Sequence, residues 1–555
     1  MARSYLGYDI YFPAFQDFRG RVYRTGLFNL HECDFYRSLL IFKVEGCSSK
    51  KLPLSDIPAA IKVATAKRYD SLFKGDEEAI KWFDKWYSVL ASSDKNIDDY
   101  IIESMKRAKD PFQFMRKALL VFKGGCYEAE PVFMDASCSA YQIMAYLLQD
   151  TKLASCTNLI MSDKRIDLYI SMRELYLTSF KESKLLAPEL EFLFTRKLVK
   201  SLVMPLTYGK TIKAMADDIH NVLGKYISFK NSMKLAMECH KIWRSKFAGV
   251  YNMFKLFGCV GGLCSSLSRG VKLSTPIFHS FQDYRKFKKP SVWIQSYNKS
   301  KGKYTRHKIS FNVLTPFRNV RKSKCATFAN FIHQKDALVA LNMVQQFFNL
   351  YGDSPMYTVH DCFVSNYLLS DKLADLYKHS LFESLGHPIR LVNIFITKNL
   401  IEPLYPNYMC MTSDSHIFIE FIQLDCCDID IFIESDSSNY WDPNKATQGR
   451  HIPKGFHSID DPIPVEHLKF FIGKWKQKIP KSADQKVFEE RALDMIGFYN
   501  SFVFSLCGKT IDNVRGNSDY AKDILYQREN LFTKMNSFRQ ICESKLMGKK
   551  NYSLT

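Results

Sequence analysis

Apolar residues recur at helical spacing along most of the chain and alternate like strands in a few short places. From 78 to 122 the sequence reads mainly as helices, with DEEAIKWFDKWYSVL showing apolar positions three and four apart. PVFMD, at 131–135, is a short apolar run ending in an acid, and SAYQIMAYLLQD after it reads as a helix. Residues 167–257 are again mostly helical. The period changes at 283–324, where VWIQSYN and RHKISFNVL alternate as two strands around an SKGK turn. Helical spacing returns at 334–350 and is followed by one strand, MYTVHDCFVSNY. Further on, HIFIEFIQL and DIDIFIES read as strands, NYWDPNKATQGRHIPKG as a loop and 483–546 as helical, which places a boundary near 405.

At 555 residues and 46% apolar content the chain can bury a substantial core across several domains. No apolar run approaches the roughly 18 residues that suggest a membrane span, so a soluble protein without a membrane partner is expected. The net charge of +21 is unevenly spread: residues 411–462 carry −7, 463–555 carry +6, and 1–410 carry +22. Such an excess suits a polyanion, because each neutralised phosphate releases counterions; solvated lysines on a basic protein would give the same total. Fifteen cysteines form no CxxC pair, which argues against a zinc site and for free thiols in a reducing compartment. The basic N-terminus lacks an apolar signal core.

Two acids, Asp135 and Asp361, each end a strand-like run. Carboxylates in such a pair can bridge two Mg²⁺ ions, which is what nucleotidyl transfer requires. Singly, either acid reads equally well as a cap or a surface residue. In RKLVKSLVMPLTYGK, Arg196, Lys200, Met204 and Tyr208 recur every four residues with Gly209 next, so a helix would put them on one stripe. Two cations followed by an aromatic could grip a triphosphate and a base; the same spacing also describes an amphipathic helix with a basic face. The segment 283–324 holds thirteen Lys/Arg and one acid, Asp283, interleaved with Tyr284, Phe287, Trp293, Tyr297, Tyr304, Phe311 and Phe317. That mixture suits single-stranded nucleic acid, although alternation predicts that many of these aromatics belong to a core.

Taken together these segments resemble the single-subunit, bacteriophage-type DNA-directed RNA polymerases, and the wording is most similar to the mitochondrial linear-plasmid branch. DASCSAYQ resembles motif A, RKLVKSLVMPLTYG motif B and HDC motif C; FPAFQDFRGRVY contains the DxxGR element as Asp17 to Arg21, ANFIHQKDA resembles the segment before motif C, and STPIFHSFQDY a fingers segment. The resemblance implies an α+β right-hand fold. Its antiparallel palm would comprise residues 1–152 and 331–405, its helical fingers 153–330, and a C-terminal extension of unknown role 406–555. It further implies two Mg²⁺ ions on Asp135, Asp361 and the Ala136 carbonyl, with Arg196 and Lys200 on the triphosphate. Tyr208, followed by Gly209, would close the nucleotide pocket and help to select ribose, and His333 would sense the 2′-hydroxyl or minor groove. Ser137 and Gln142 would support the pocket, while Asp17, Arg19 and Arg21 would meet template and hybrid. DNA template, NTPs and RNA product are the implied partners, and the mitochondrion the implied compartment.

The sequence also departs from the family pattern. Ala136 and Ala140 stand where glycines are common, Cys362 replaces a serine, and Pro205 should kink the motif B helix. The DxxGR element starts almost at residue 1, so the promoter-binding domain and thumb are expected to be missing; a truncated reading frame, a remnant, and one part of a split enzyme with a separate chain supplying promoter recognition all fit that layout. Two alternatives stay open. One is a DNA polymerase on the related palm, disfavoured because no acid follows Asp135 in DASCSAYQ. The other is an inactive nucleic-acid-binding remnant.

Overall fold

Strand Val132–Asp135 pairs antiparallel with Cys362–Ser365, and that strand pairs antiparallel with Met356–Val359, giving a three-stranded sheet with 362–365 in the middle. The computed structural model describes residues 2–404 and 459–544, apart from 27, 47–48, 71–72, 74, 92–95, 163–164, 301, 480–482 and 510–518. The strands and loop expected between 416 and 456, and the boundary near 405, lie outside the described residues. MYTVHDCFVSNY is a hairpin rather than one strand: His360 and Asp361 alone connect its two arms, and His360 takes φ +57°. So short a connection needs left-handed backbone, which histidine tolerates better than most residues.

The middle strand is buried on both faces, which is why it reads as a continuous apolar run. Phe363 faces the main core and packs on Tyr377, while Val364 faces a smaller cluster with Leu30, Leu40 and Phe133. Helices surround this sheet. One group, Ala59–Tyr69, Asp76–Ala91, Ile97–Arg107 and Pro111–Lys123, closes on its own aromatic core of Phe83, Trp86, Phe114 and Phe122. The larger group includes Ser139–Leu148, Leu168–Glu182, Arg196–Val203, Ala248–Ser266 and the 32-residue Val320–Tyr351. Met134 packs against both cores, so the strand that ends at Asp135 is clamped between them. The fold is therefore helix-rich α+β with small antiparallel sheets.

Helices Val465–Gln477, Ala483–Cys507 and Asp519–Glu543 contribute Trp475, Phe488, Tyr499 and Phe538 to the main core. Adjacent glycines in Ala248–Ser266 serve two neighbours: a Cβ at Gly262 would lie 2.8 Å from Arg491 Cδ of Ala483–Cys507, and one at Gly261 would lie 2.1 Å from Thr327 Oγ1, so nothing larger lets the long helix 320–351 approach. Among the described residues no single helix is both long and apolar enough to cross a membrane. Among the described residues ten cysteines are free, but Cys126 is disulfide-bonded, so the expectation of free thiols throughout fails there.

The basic segment departs from expectation in a more useful way. Ser291–Asn298 and Lys303–Ser310 pair as predicted, with Asn298 opposite Lys303, on a base formed by Arg285–Lys288 and Val313–Arg318. The aromatics are not core residues: Trp293, Tyr297, Tyr304, Phe311 and Phe317 are all more than half exposed. Alternation predicts an inner face only when something covers it, and among the described residues this two-stranded ribbon is covered on neither side.

Candidate active site

Asp135 ends its strand opposite Cys362, and the Ala136 amide donates to the Asp361 carbonyl at 3.1 Å. Sheet pairing thus makes neighbours of two acids far apart in sequence. Burial, and then the charge of Asp361, push the Asp135 carboxyl well above its ordinary range, against the pull of Lys200, Arg68 and Lys109. A cation would relieve the buried Asp135 carboxylate of its neighbour's charge, and the oxygens of the two acids suit a hard divalent one. The Ala136 carbonyl accepts from the Cys138 amide at 2.9 Å and retains a second lone pair. Among the described residues no group of three or more His, Cys, Asp and Glu forms a metal cage. A cation here would rely on two carboxylates, backbone and substrate oxygens, as Mg²⁺ commonly does.

Both acids line a cavity of about 290 Å³, and so do Arg196, Lys200, Met204 and Tyr208. The four-residue stripe read from the sequence therefore faces a single space. Thr195 caps the helix Arg196–Val203 by accepting from the Leu198 amide. At Pro205 the helix tightens into a 3₁₀ turn, Met204–Tyr208, which Gly209 ends at φ +81°. The break leaves Tyr208 on the cavity wall, so the proline re-aims the tyrosine without removing it. Arg196 is gripped by Asp167 through its Nε at 2.7 Å and a terminal nitrogen at 2.6 Å. Lys200 makes no ion pair among the described residues; its ammonium stands 5.8 Å from the Tyr169 ring centroid. One cation is held rigidly and the other is free to meet an anion.

On the N-terminal segment, Asp17 accepts from the amides of Arg19 and Arg21 at 2.9 and 3.0 Å and pairs with the Arg19 guanidinium at 2.6 Å. Gly20 has φ +88°, and a Cβ there would fall 2.1 Å from the Phe278 ring, so the turn requires glycine on both counts. Arg19 donates to His333 Nδ1 at 2.7 Å, and the His333 ring lies 4.9 Å from that of Tyr208. Burial, followed by Arg21 and Arg19, drives the His333 pKa down to about 3, so the imidazole is neutral with Nδ1 as acceptor and Nε2–H as a donor. Burial also raises the Tyr208 phenol to about 12. Arg21 bonds Asp336 at 2.5 Å, and burial with the charge of Asp361 raises the Asp336 carboxyl against that pull.

Of the residues singled out in the sequence, Asp135, Ala136, Ser137, Arg196, Lys200, Tyr208 and Asp361 line the one cavity, and His333, Arg19, Arg21 and Asp17 adjoin it through Tyr208. Two do not reach it. Gln142 is wholly buried, donating to the Thr157 carbonyl and accepting from the Tyr377 hydroxyl, both at 2.9 Å, so it can act only by supporting the wall. Gly209 serves the turn. Sequence reasoning missed Asp167, which reads only as the cap of Leu168–Glu182, and Arg165 and Tyr169, which give no local signal. Asp336 was inside a matched segment, yet nothing in the sequence paired it with Arg21.

A family model described as DNA-dependent RNA polymerase matches residues 77–385. Similar curated proteins include a probable DNA-directed RNA polymerase of Zea mays, 28% identical over 445 residues, covering 73% of this chain and 40% of that protein. One of Agaricus bitorquis is 26% identical over 441 residues, covering 71% and 38%. The mitochondrial DNA-directed RNA polymerase of Schizosaccharomyces pombe is 25% identical over 431 residues, covering 69% and 35%. The chain thus spans two fifths or less of the length of these relatives.

Proposed function

The chain belongs to the single-subunit, phage-type family of DNA-dependent RNA polymerases, and from that premise we propose that it adds ribonucleotides to an RNA 3′-end under the direction of a DNA template. The observation that carries this reading is the meeting of Asp135 and Asp361 in the cavity lined by Arg196, Lys200 and Tyr208. Divalent cations bound by the two aspartates and the Ala136 carbonyl would supply a Lewis acid for the attacking 3′-hydroxyl and for the departing pyrophosphate. Arg196, pre-set by Asp167, offers a fixed donor fork to the triphosphate, and Lys200 offers a movable point charge. Tyr208 stacks at the base and sugar, with neutral His333 behind it as a hydrogen-bond donor. Residues 1–152 and 331–405 would form the palm, 153–330 the fingers, and 406–555 an extension. The exposed cationic and aromatic ribbon would meet nucleic acid. The named mitochondrial relatives support a mitochondrial location.

The cavity wall from Ala136 to Tyr141 carries no carboxylate, which favours a ribose substrate over deoxyribose. Extension of an RNA primer on a DNA template by the full chain, compared between NTPs and dNTPs, tests the reading. Ribonucleotide extension supports it, dNTP preference indicates a DNA polymerase, and binding without extension indicates a remnant. Within that assay, Lys200→Met should raise the KM for NTP about 10- to 100-fold, the scale of one charge-assisted hydrogen bond, with primer affinity unchanged. Tyr208→Phe should narrow the NTP-over-dNTP preference about tenfold, equivalent to one hydrogen bond. An unchanged preference would remove Tyr208 from sugar selection.

A further inference from the structure

A second cavity, of about 250 Å³, is bordered by the strand Val271–Ser274, the helix Val320–Tyr351 and the helices Leu373–Leu385 and Pro388–Ile396. Its lining includes Lys335, which is 2% exposed. The Lys335 ammonium donates to the Ser274 carbonyl at 3.1 Å and stands 5.4 Å from the Phe331 ring centroid. Among the described residues no carboxylate pairs with it. One carbonyl and one ring face do not replace the hydration an ammonium loses on burial, and burial alone brings its pKa down to about 7.

The other cations of the wall, Arg390 and Lys398, already have carboxylate partners. Arg390 grips Asp460 at 2.6 and 2.7 Å and Lys398 pairs with Glu402 at 3.6 Å, while Glu383, about half exposed at the rim, accepts from Gln346 and stands 3.0 Å from His379, which balances its charge only when protonated. His387 stands 3.7 Å from Asp460, and its pKa is lowered chiefly by burial. The cations left without a carboxylate partner among the described residues are buried Lys335 and exposed Lys272, and of the lining side chains only Lys335 carries its charge inside. Beside Lys335, Gln334 donates to the Leu273 carbonyl at 2.9 Å, while its own amide oxygen is buried without a partner. The rest of the wall is largely apolar, with Phe331, Leu391, Ile394 and Phe395.

We propose that this cavity binds a small organic anion, its carboxylate or phosphate head on the Lys335 ammonium and its apolar body against Phe331, Leu391 and Phe395. The site is separate from the one that holds Asp135 and Asp361, so the polymerase reading and this one can fail independently. A bound anion returns to Lys335 the counter-charge the fold withholds, and a hydroxyl on the same molecule could donate to Gln334. Calorimetric titration of the full chain with benzoate, with phenyl phosphate and with neutral benzyl alcohol tests this, the first two separating the carboxylate source from the phosphate source. At least one anion should bind saturably at one site, with no matching heat from benzyl alcohol. Affinity should fall roughly tenfold between pH 6.5 and 8.5 as Lys335 loses its proton, and at least tenfold in Lys335→Met. Leu391→Trp, which fills the space and keeps the lysine, should abolish binding too and serves where Lys335→Met fails to fold. No saturable binding of either anion, equal binding of benzyl alcohol, or binding indifferent to both substitutions would overturn the proposal.

Discussion

Asp361→Asn is expected to lower nucleotide addition by roughly 10³-fold or more, the scale attached to losing a charge-stabilising group at a phosphoryl-transfer centre. The same substitution should leave the melting temperature unchanged or slightly raised. That pairing of outcomes follows from the geometry. Asp361 occupies a hairpin turn beside Asp135, and its charge is one of the two main reasons the Asp135 carboxyl resists ionisation. Asparagine keeps the shape and removes the repulsion, so the fold loses nothing while the proposed cation site loses half its carboxylate charge. Single-turnover primer extension and thermal unfolding on one preparation measure both. Retained activity would remove Asp361 from the chemistry, and a large drop in melting temperature would make it a structural residue.

Glu130→Gln should cost about 3–5 kcal/mol of stability, because it strips one partner from a buried ion pair. Glu130 and Lys117 have side chains only 3% and 2% exposed and stand 2.6 Å apart; Arg116 reaches the same carboxylate at 2.7 Å. Lys117 also donates to the Pro131 carbonyl at 3.0 Å, which ties the pair to the start of the strand that ends at Asp135. Burial pushes the Glu130 carboxyl up, but two cations outweigh it and hold the group below its usual range. Burial shifts Lys117 down as well, since it has one carboxylate to set against full burial and the repulsion of Arg68 and Arg116. Both values fall, but the fall favours the charged form of Glu130 and disfavours that of Lys117, because the cations outnumber the anion. A depressed carboxyl stabilises the fold above its unfolded pKa, about 4.3, and that contribution vanishes as pH falls through the lower folded value. Denaturant unfolding of both proteins should therefore show a wide gap at pH 7 that narrows below about pH 4. A gap that stays constant with pH would mean that lost packing, rather than lost charge, sets the cost.

The local periods of the chain determined the elements: the helices between 76 and 123, the strand ending in Asp135, the Arg196–Tyr208 stripe and the second half of the long helix, 334–350, all follow from spacing that neighbours in sequence enforce, whereas the first half of that helix, from Val320, was not legible from it. Side chains four apart on a helix must share a face, so the stripe was legible before any fold was known. Tertiary structure alone decided which face met what. Asp135 meets Asp361 because sheet register aligns Val132–Asp135 with Cys362–Ser365, and register depends on two cores closing around Met134. Asp167 and Asp336 gained their roles from arginines far away in sequence, and Gln142 lost its place on the cavity wall to partners inside the core. The ribbon's aromatics stayed exposed because alternation specifies two faces without specifying what covers them. Short-range spacing is written in the chain; long-range pairing is the outcome of burying many surfaces at once, and no segment records it alone.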